Sequence, residues 1–299
     1  MDRKIIYFIN PISGTKGKSS LKDLIRRKTG EQKIDFEILD TDPAGVYPFL
    51  REKIQNERVT DIVVCGGDGT VNAVAGSLLG VDINIGILPM GSGNGLANSA
   101  KIPRRPSAAL DLVIRGKSSY VDGFYVNGNF SCMLCGIGFD AWVAREFANQ
   151  KKRGLLTYIK VSLSHFFKTS PYPFEIILPE SSFSCEAFFI SIANSNQFGN
   201  QFTIAPKASL DDGLLDIVVV KKMNKFSLPF FIIRQVLGYN ALQKNPGFEK
   251  KMNILYFQTG SLVILNPAKA PLHIDGEPKD TAEKFEFKII RRAIRLIQP

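Results

Sequence analysis

Asp68 sits among three glycines in Cys65-Gly66-Gly67-Asp68-Gly69-Thr70. The run follows an apolar, β-branched stretch, Ile62-Val63-Val64, and opens onto a helix-like pattern, Val71-Asn72-Ala73-Val74-Ala75. A strand that ends in glycines and starts a helix brings bare backbone N–H groups up to a phosphate. Without Cβ atoms, the glycines let a ligand approach the main chain closely. The one carboxylate there, Asp68, suits a Mg²⁺ ion carried by a nucleotide.

Four other stretches have residue types that do chemistry. Asn10-Pro11-Ile12-Ser13-Gly14-Thr15-Lys16-Gly17 offers polar donors, glycines and a lysine, which suit either a phosphate loop or a plain turn. Its spacing is not that of the G-x-x-x-x-G-K-[ST] loop. Leu88-Pro89-Met90-Gly91-Ser92-Gly93-Asn94-Gly95-Leu96-Ala97 repeats the strand, glycine loop and helix order, with Ser92 or Asn94 as alternative helix caps. Asp211-Asp212-Gly213 reads as a turn. A carboxylate flanked by outward-turned carbonyls also suits a Mg²⁺ ion that keeps several waters. In His273-Ile274-Asp275-Gly276-Glu277-Pro278 the Asp-Gly pair is a hairpin signal, and Glu277 alternatively serves as a general base. Cys132-Met133-Leu134-Cys135 lies in an apolar run. On a strand its two thiols point to opposite faces, so it reads as core packing.

These loops need a scaffold. The first 120 or so residues alternate strand and helix patterns. Strands are predicted over 4–10, 34–39, 61–65 and 83–88, and helices over 19–28, 43–56, 71–79, 93–100 and 107–114. Such repetition implies a mostly parallel sheet covered on both faces, with ligands at the carboxyl ends of the strands. Beyond that the pattern becomes strands and hairpins, over 121–126, 130–135, 174–178, 183–193, 215–220, 254–257, 262–265, 272–274 and 285–290. This predicts an antiparallel second domain, interrupted by helical patterns near 140–168 and 226–243.

The 299 residues carry a net charge of +10 and a pI near 9.4, which favours an anionic partner. With 44% hydrophobic and 22% charged residues, the chain can bury a sizeable core. The first residues do not read as a signal peptide, and no run reaches the roughly 18 apolar residues needed to span a bilayer. The longest, around Phe226–Leu237, is broken by Pro229 and Arg234. A cytoplasmic protein is expected, with at most peripheral membrane contact. Arg104-Arg105 and Lys151-Lys152-Arg153 are candidate headgroup contacts.

Taken in order, the motifs Asn-Pro-x-Ser-Gly, Gly-Gly-Asp-Gly-Thr, Pro-x-Gly-Ser-Gly-Asn, Ile-Ala-Pro followed by Asp-Asp-Gly-Leu-Leu-Asp, and Asp-Gly-Glu resemble the diacylglycerol kinase catalytic-domain family. That family includes soluble bacterial lipid kinases and the sphingosine and ceramide kinases. The resemblance covers nearly the whole chain. It implies an α/β nucleotide-binding domain over 1–123, similar to that of 6-phosphofructokinase and NAD kinase. It implies a β-sandwich lipid-substrate domain over 124–287, with ATP held between the two, and a segment 288–299 that returns to the first. ATP and Mg²⁺ are the implied cofactors, and the implied reaction is transfer of the γ-phosphate to a lipid hydroxyl, foremost that of diacylglycerol.

By the same resemblance, nucleotide contacts fall on Asn10, Thr41, Gly66, Gly67, Asp68, Gly69, Thr70, Asn72, Ser92 and Asn94. A structural Mg²⁺ site falls on Asp212 with carbonyls of Ser209 and Leu214. The catalytic base falls on Glu277, with Asp68 as the other candidate and as part of the network around the nucleotide's Mg²⁺. Asp140 aligns with a headgroup position of sphingosine kinases and reads equally as a helix cap. The second loop departs from the bacterial diacylglycerol kinase form Gly-Thr-Gly-Asn-Asp, because Gly95 stands where Asp is usual. Gly-Ser-Gly-Asn-Gly-Leu-Ala is closer to the sphingosine kinase form, so sphingoid bases and ceramide stay open as acceptors. NAD kinase, which shares Gly-Gly-Asp-Gly-Thr, is a further rival, as is a sensing module without turnover. Phe166, Phe167, Phe188, Phe189, Phe198, Phe230 and Phe231 are candidates for an acyl slot. A membrane surface and a homodimer are the implied partners, and no nucleic acid is.

Overall fold

The computed structural model describes residues 3–11, 18–42, 44–148, 165, 169–197, 203–248 and 252–299. Residues 12–17, Lys151-Lys152-Arg153, Phe166, Phe167 and Phe198, all singled out above, lie outside them. The chain divides into two compact units, Met1–Asp122 with Arg291–Pro299, and Gly123–Ile290.

In the first unit β1 (Lys4–Ile9), β2 (Asp35–Asp40), β3 (Asp61–Gly66) and β4 (Asn84–Pro89) are parallel, in the order β2-β1-β3-β4. Every residue of β3 is buried. Successive strand side chains point to opposite sides, so β3 is covered on both faces. The amino edge of the sheet is closed by Arg3. Its guanidinium holds buried Asp61 at 2.8 and 3.1 Å and donates to the carbonyls of Val113 and Ile114. The carboxyl edge is left to the glycine loops.

The helices of this unit are α1 (Lys18–Glu31), α2 (Leu50–Glu57), α3 (Asp68–Ser77), α4 (Gly95–Ser99) and α5 (Pro106–Arg115). The helix expected from residue 43 begins only at Leu50. Gly45 takes φ +67°, and Pro48 disfavours helical geometry at Tyr47, so the chain cannot coil earlier.

The second unit is antiparallel. Its strands are β6 (Asn129–Ser131), β7 (Leu134–Gly138), β8 (Tyr172–Leu178), β9 (Ser181–Ala193), β10 (Leu215–Lys221), β11 (Ile254–Thr259), β12 (Ser261–Leu265), β13 (Leu272–Ile274) and β14 (Glu277–Lys279). Two strands run across the unit boundary, β5 (Ser118–Val126) and β15 (Lys284–Ile297). The amino-terminal half of β9 pairs with β8; its carboxyl-terminal half pairs with β7 and β10. One core joins Phe174, Ile190, Ile217, Phe257, Leu262 and Phe285. Late in β15, Arg295 and Leu296 pair in parallel with Asn84 and Ile85 of β4.

Two hairpins follow their turn chemistry. Val126 pairs with Asn129 around Asn127-Gly128, and Ile274 with Glu277 around Asp275-Gly276. All four turn residues have positive φ, as a two-residue turn of this hand requires. The strand expected over 130–135 is in fact two, because the chain bends at Cys132-Met133 and the Met133 amide donates to Ser131 Oγ. Among the described residues, this unit includes the α-helices α6 (Phe139–Ala148) and α7 (Leu228–Val236). The helix expected across 226–243 is therefore much shorter, stopped at Gly238 with φ +75°. Among the described residues, no helix is long and apolar enough to cross a membrane.

Cys65, Cys132 and Cys135 are buried thiols, and Cys185 is a half-buried one. Burial pushes the Cys65 and Cys135 thiols far above the ordinary range, and that of Cys185 up to about 11. In native protein a thiol reagent should modify Cys185 alone, and slowly, with all four thiols reacting after denaturation. Fast native labelling of a second thiol would contradict this packing.

Candidate active site

Strand register puts the predicted nucleotide residues at one level. Ile9 of β1 lies opposite both Asp40 and Cys65, and Gly66 lies opposite Pro89. The next residues, Asn10, Thr41, Gly67 and Met90, therefore leave the same edge of the sheet. Backbone bonds fix them there, from Asn10 N to Cys65 O at 3.0 Å, Thr41 N to Ile9 O at 3.0 Å, and Met90 N to Gly66 O at 2.9 Å. Asn10 Nδ2 donates to Thr70 Oγ1 at 2.8 Å and ties the first loop to α3. A Cβ on Gly66 would meet the Thr70 side chain at 2.9 Å, so only glycine lets α3 start so close to its strand.

The two glycine loops touch backbone to backbone. A Cβ built on Gly91 would lie 2.6 Å from Gly67 Cα, and one on Gly67 would lie 3.1 Å from Gly91 Cα. The N-cap of α3, Gly67, has no side-chain cap, so the first amides of that helix face its open end. Ser92 is exposed at the tip of the second loop, while Gly69, Thr70 and Asn72 are half-buried at the start of α3.

Two predicted residues serve the loop itself. Asn94, in the left-handed region at φ 54°, accepts from Gly91 N at 2.8 Å and donates to Gly91 O at 2.7 Å. It is not a side-chain cap, and neither is Ser92. The carboxylate that caps α4 is Asp68, which accepts from the backbone amides of Asn94, Gly95 and Leu96. Burial raises its pKa above the ordinary carboxylate value, and these amides oppose that rise. Asp68→Ala should lower stability by roughly 1–2 kcal/mol in thermal melts, and Asp68→Asn, which keeps one acceptor, by less. Equal losses in the two variants would refute capping as the role of Asp68.

In the second unit the structure reveals a pair that sequence reasoning missed. His273 Nε2 lies 3.5 Å from Asp140 Oδ2, and both side chains are buried. His273 Nδ1 accepts from the Gly276 amide at 3.2 Å, so in the neutral ring Nε2 carries the proton and faces the carboxylate. Asp140 lies inside the first turn of α6 and accepts from Ala141 N at 2.8 Å, so it is not the N-cap of that helix. Burial raises its pKa, and His273 opposes the rise. Gly136 makes room for the pair, since a Cβ there would collide with Asp140 Oδ2 and His273 Nε2. The available signal was the scarcity of histidine, with only two in the chain.

The pair anchors the turn that leads to Glu277. Asp275 Oδ1 accepts from Ser131 Oγ at 2.7 Å and from Leu134 N at 3.0 Å, which pins the other side of the turn. Glu277 itself is exposed on β14, 3.4 Å from Lys279 Nζ. Asp212 is exposed as well. Its Oδ1 accepts from Leu214 N at 3.0 Å, and Ser209 Oγ donates to Asp211 at 2.8 Å. Nearby Asp216 is pushed up to about 6 by burial, opposed by Gln258 and Tyr256 and reinforced by the charge of Asp212. The exposed carboxylate of Asp212, with Asp211 and Asp216 close in sequence, is the kind of oxygen donor that a hard cation such as Mg²⁺ takes. Among the described residues no cluster of three or more His, Cys, Asp or Glu side chains forms a metal-ligand set.

Four of the phenylalanines expected at an acyl slot are among the described residues. Phe188 and Phe189 are core residues of β9, Phe231 is half-buried and Phe230 is exposed. A separate cleft of about 340 Å³ is lined by Phe139, Trp142, His165, Thr169 and Tyr172, beside the start of α6.

A parallel sheet with glycine loops on its carboxyl edge, followed by an antiparallel unit, is the build of a nucleotide-dependent phosphotransferase. Comparison with known proteins narrows this. Residues 4–126 match the diacylglycerol kinase catalytic domain, and residues 134–297 match the YegS C-terminal NAD kinase beta sandwich-like domain. The chain is 30% identical over 264 residues to a protein of Shewanella frigidimarina named "probable lipid kinase YegS-like", covering 86% of this chain and 82% of that one. It is 28% identical over 294 residues to a protein of the same name from Pectobacterium atrosepticum, covering 95% and 94%. A crystal structure of a diacylglycerol kinase from Bacillus anthracis superposes with a TM-score of 0.75 at 19% identity, over 99% and 97% of the two chains. The chain belongs to the diacylglycerol kinase catalytic-domain family, a family of lipid kinases, and is a kinase with an α/β first domain and a β-sandwich second domain.

Proposed function

We propose that the protein transfers the γ-phosphate of ATP to the free hydroxyl of diacylglycerol, giving phosphatidic acid. The observation that supports the nucleotide half is the close approach of Gly67 to Gly91, which brings the amino end of α3, without a side-chain cap, beside the second glycine loop at one edge of the sheet. Phosphoryl transfer asks the protein mainly for positioning and charge stabilisation. Asn10, Thr41, Gly66–Asn72 and Ser92 hold the nucleotide in this reading, with Asp68 and Asn94 shaping the second loop. Magnesium supplies neutralisation of the transferred phosphoryl charge when bound, and Asp212, with carbonyls of Ser209 and Leu214, forms a separate structural site. Glu277 accepts the proton of the lipid hydroxyl as its oxygen attacks phosphorus and the bond to the β-phosphate oxygen breaks.

The burial of Asp140 favours diacylglycerol over a sphingoid base. A carboxylate that recognises a substrate amine must reach it, whereas Asp140 is 6% exposed and engaged by His273 and Ala141. Gly95, at the position where the bacterial kinases carry Asp, is buried, and its amide is given to Asp68. Incubation with labelled ATP and separate vesicles of diacylglycerol, monoacylglycerol, sphingosine, ceramide and undecaprenol, with NAD in a parallel sample, tests the reading. Label in phosphatidic acid is expected, and label confined to a sphingoid base or to NAD would overturn it.

A further inference from the structure

α7 is apolar on two faces: one buries Leu228 and half-buries Phe231, Ile232 and Val236, and the other is left exposed. Its glutamine, Gln235, is fully buried, with Nε2 donating to Ile204 O at 2.8 Å and Oε1 accepting from Asn240 Nδ2 at 2.8 Å. Two of its large apolar residues face outward. Phe230 is 59% exposed and Ile233 57%, continued by Phe226 at 83% before the helix and Leu237 at 61% after it. Steps of four, three and four residues place these side chains in one stripe. Tyr239 follows, also exposed. An ordinary surface helix buries its apolar stripe and gives its amides to water, so this face is built for a partner other than water.

Charge identifies the partner. Between Ile217 and Phe248 the chain has Lys221, Lys222, Lys225, Arg234 and Lys244, and no acidic residue. Lys222 is paired with Glu186, and the Arg234 guanidinium lies 5.8 Å from the centre of the Phe230 ring. A short helix with an aromatic and aliphatic stripe flanked by cations matches an anionic lipid surface, with the apolar side chains at the headgroup and acyl boundary. A second copy of this face would set cation against cation. With nine helical residues, α7 is far short of the roughly 20 that cross a bilayer, so it would lie in the interface.

We propose that the outward face of α7, Phe226, Phe230, Ile233 and Leu237 with Arg234 and Lys225, docks the protein on anionic membrane surfaces. The inference deepens the lipid reading, since a kinase for a bilayer lipid must meet it at the bilayer. The test is flotation of the full chain with phosphatidylcholine vesicles, with and without phosphatidylglycerol. The wild type should float with the anionic vesicles. The double variant Ile233→Ser, Leu237→Ser should bind at least about tenfold more weakly with an unchanged melting temperature. Lys225→Glu with Arg234→Glu should remove the preference for anionic lipid. Wild-type affinity in both double variants, or a wild type indifferent to phosphatidylglycerol, would overturn the proposal. So would a dimer in size-exclusion chromatography that Ile233→Ser, Leu237→Ser converts to a monomer. Phosphorylation of a short-chain diacylglycerol in detergent micelles separates this from the catalytic reading, and the Ile233, Leu237 variant should retain it. If the wild type phosphorylates no lipid yet floats through α7, the docking face stands and the function falls.

Discussion

Glu277→Gln should lower turnover by roughly 10²–10⁴-fold while leaving ATP affinity near that of the wild type. The size follows from the role proposed for this carboxylate, as the group that takes the hydroxyl proton during attack on phosphorus. Glutamine keeps the shape and loses the base. The exposed position of Glu277 means that the change should leave the melting temperature within about 1 °C, because substitutions at exposed sites shift stability little. The turn before it is braced separately, by His273 on the Gly276 amide and by Asp275 on Ser131 and Leu134. A defect confined to kcat is therefore expected, read from initial rates with saturating ATP and from a nucleotide titration monitored by fluorescence. A turnover within a few-fold of the wild type would remove Glu277 from the chemistry and leave it a hairpin residue. Asp68 would not inherit the role easily, since its carboxylate is already turned onto the amides of Asn94, Gly95 and Leu96.

Gly91→Ala is the second change with a large expected effect. Its Cβ would fall 2.6 Å from Gly67 Cα and 3.0 Å from Asn94 Oδ1. Backbone cannot swing aside as a flexible side chain can, so one glycine loop has to move off the other. Overpacking of this kind costs about 1–3 kcal/mol. If these loops hold the nucleotide as proposed, displacing them by even about 1 Å should lower kcat/KM around 10²-fold. Gly67→Ala places its Cβ at 3.1 Å from Gly91 Cα and should do the same to a smaller degree. Ser92→Ala, at the exposed tip between them, should leave stability unchanged and weaken ATP binding only modestly. The order Gly91, Gly67, Ser92 in both kcat/KM and melting temperature is the signature of two packed backbones. If Gly91→Ala binds and turns over ATP normally, the loops do not rely on that contact.

Much of this is legible in the sequence. Alternating β and α patterns over the first 120 or so residues require parallel strands, and parallel strands send their loops to one edge. That is why the loops at 10–17, 66–70 and 89–95 could be placed on one edge from the pattern, whereas Thr41 came from the family resemblance. Asn127-Gly128 and Asp275-Gly276 announced their hairpins because few residues tolerate two successive positive φ angles. Boundaries were less legible where a single bond decided them, as at Cys132-Met133, where the Met133 amide turns to Ser131 Oγ.

What the sequence by itself determined is the inventory: the family, the glycine loops, the carboxylates and the two kinds of sheet. Only the tertiary structure decided partners and directions. Asp68 could as well have faced a metal as the amides of α4, and nothing local to residue 140 points to His273. The sequence shows Phe226–Leu237 as an apolar run broken by Pro229 and Arg234, but not which of its side chains are covered; the structure buries Leu228 and leaves Phe226, Phe230, Ile233 and Leu237 exposed. The physical reason is that periods of 2 and 3.6 are properties of one segment, whereas a contact depends on which distant segment packs beside it.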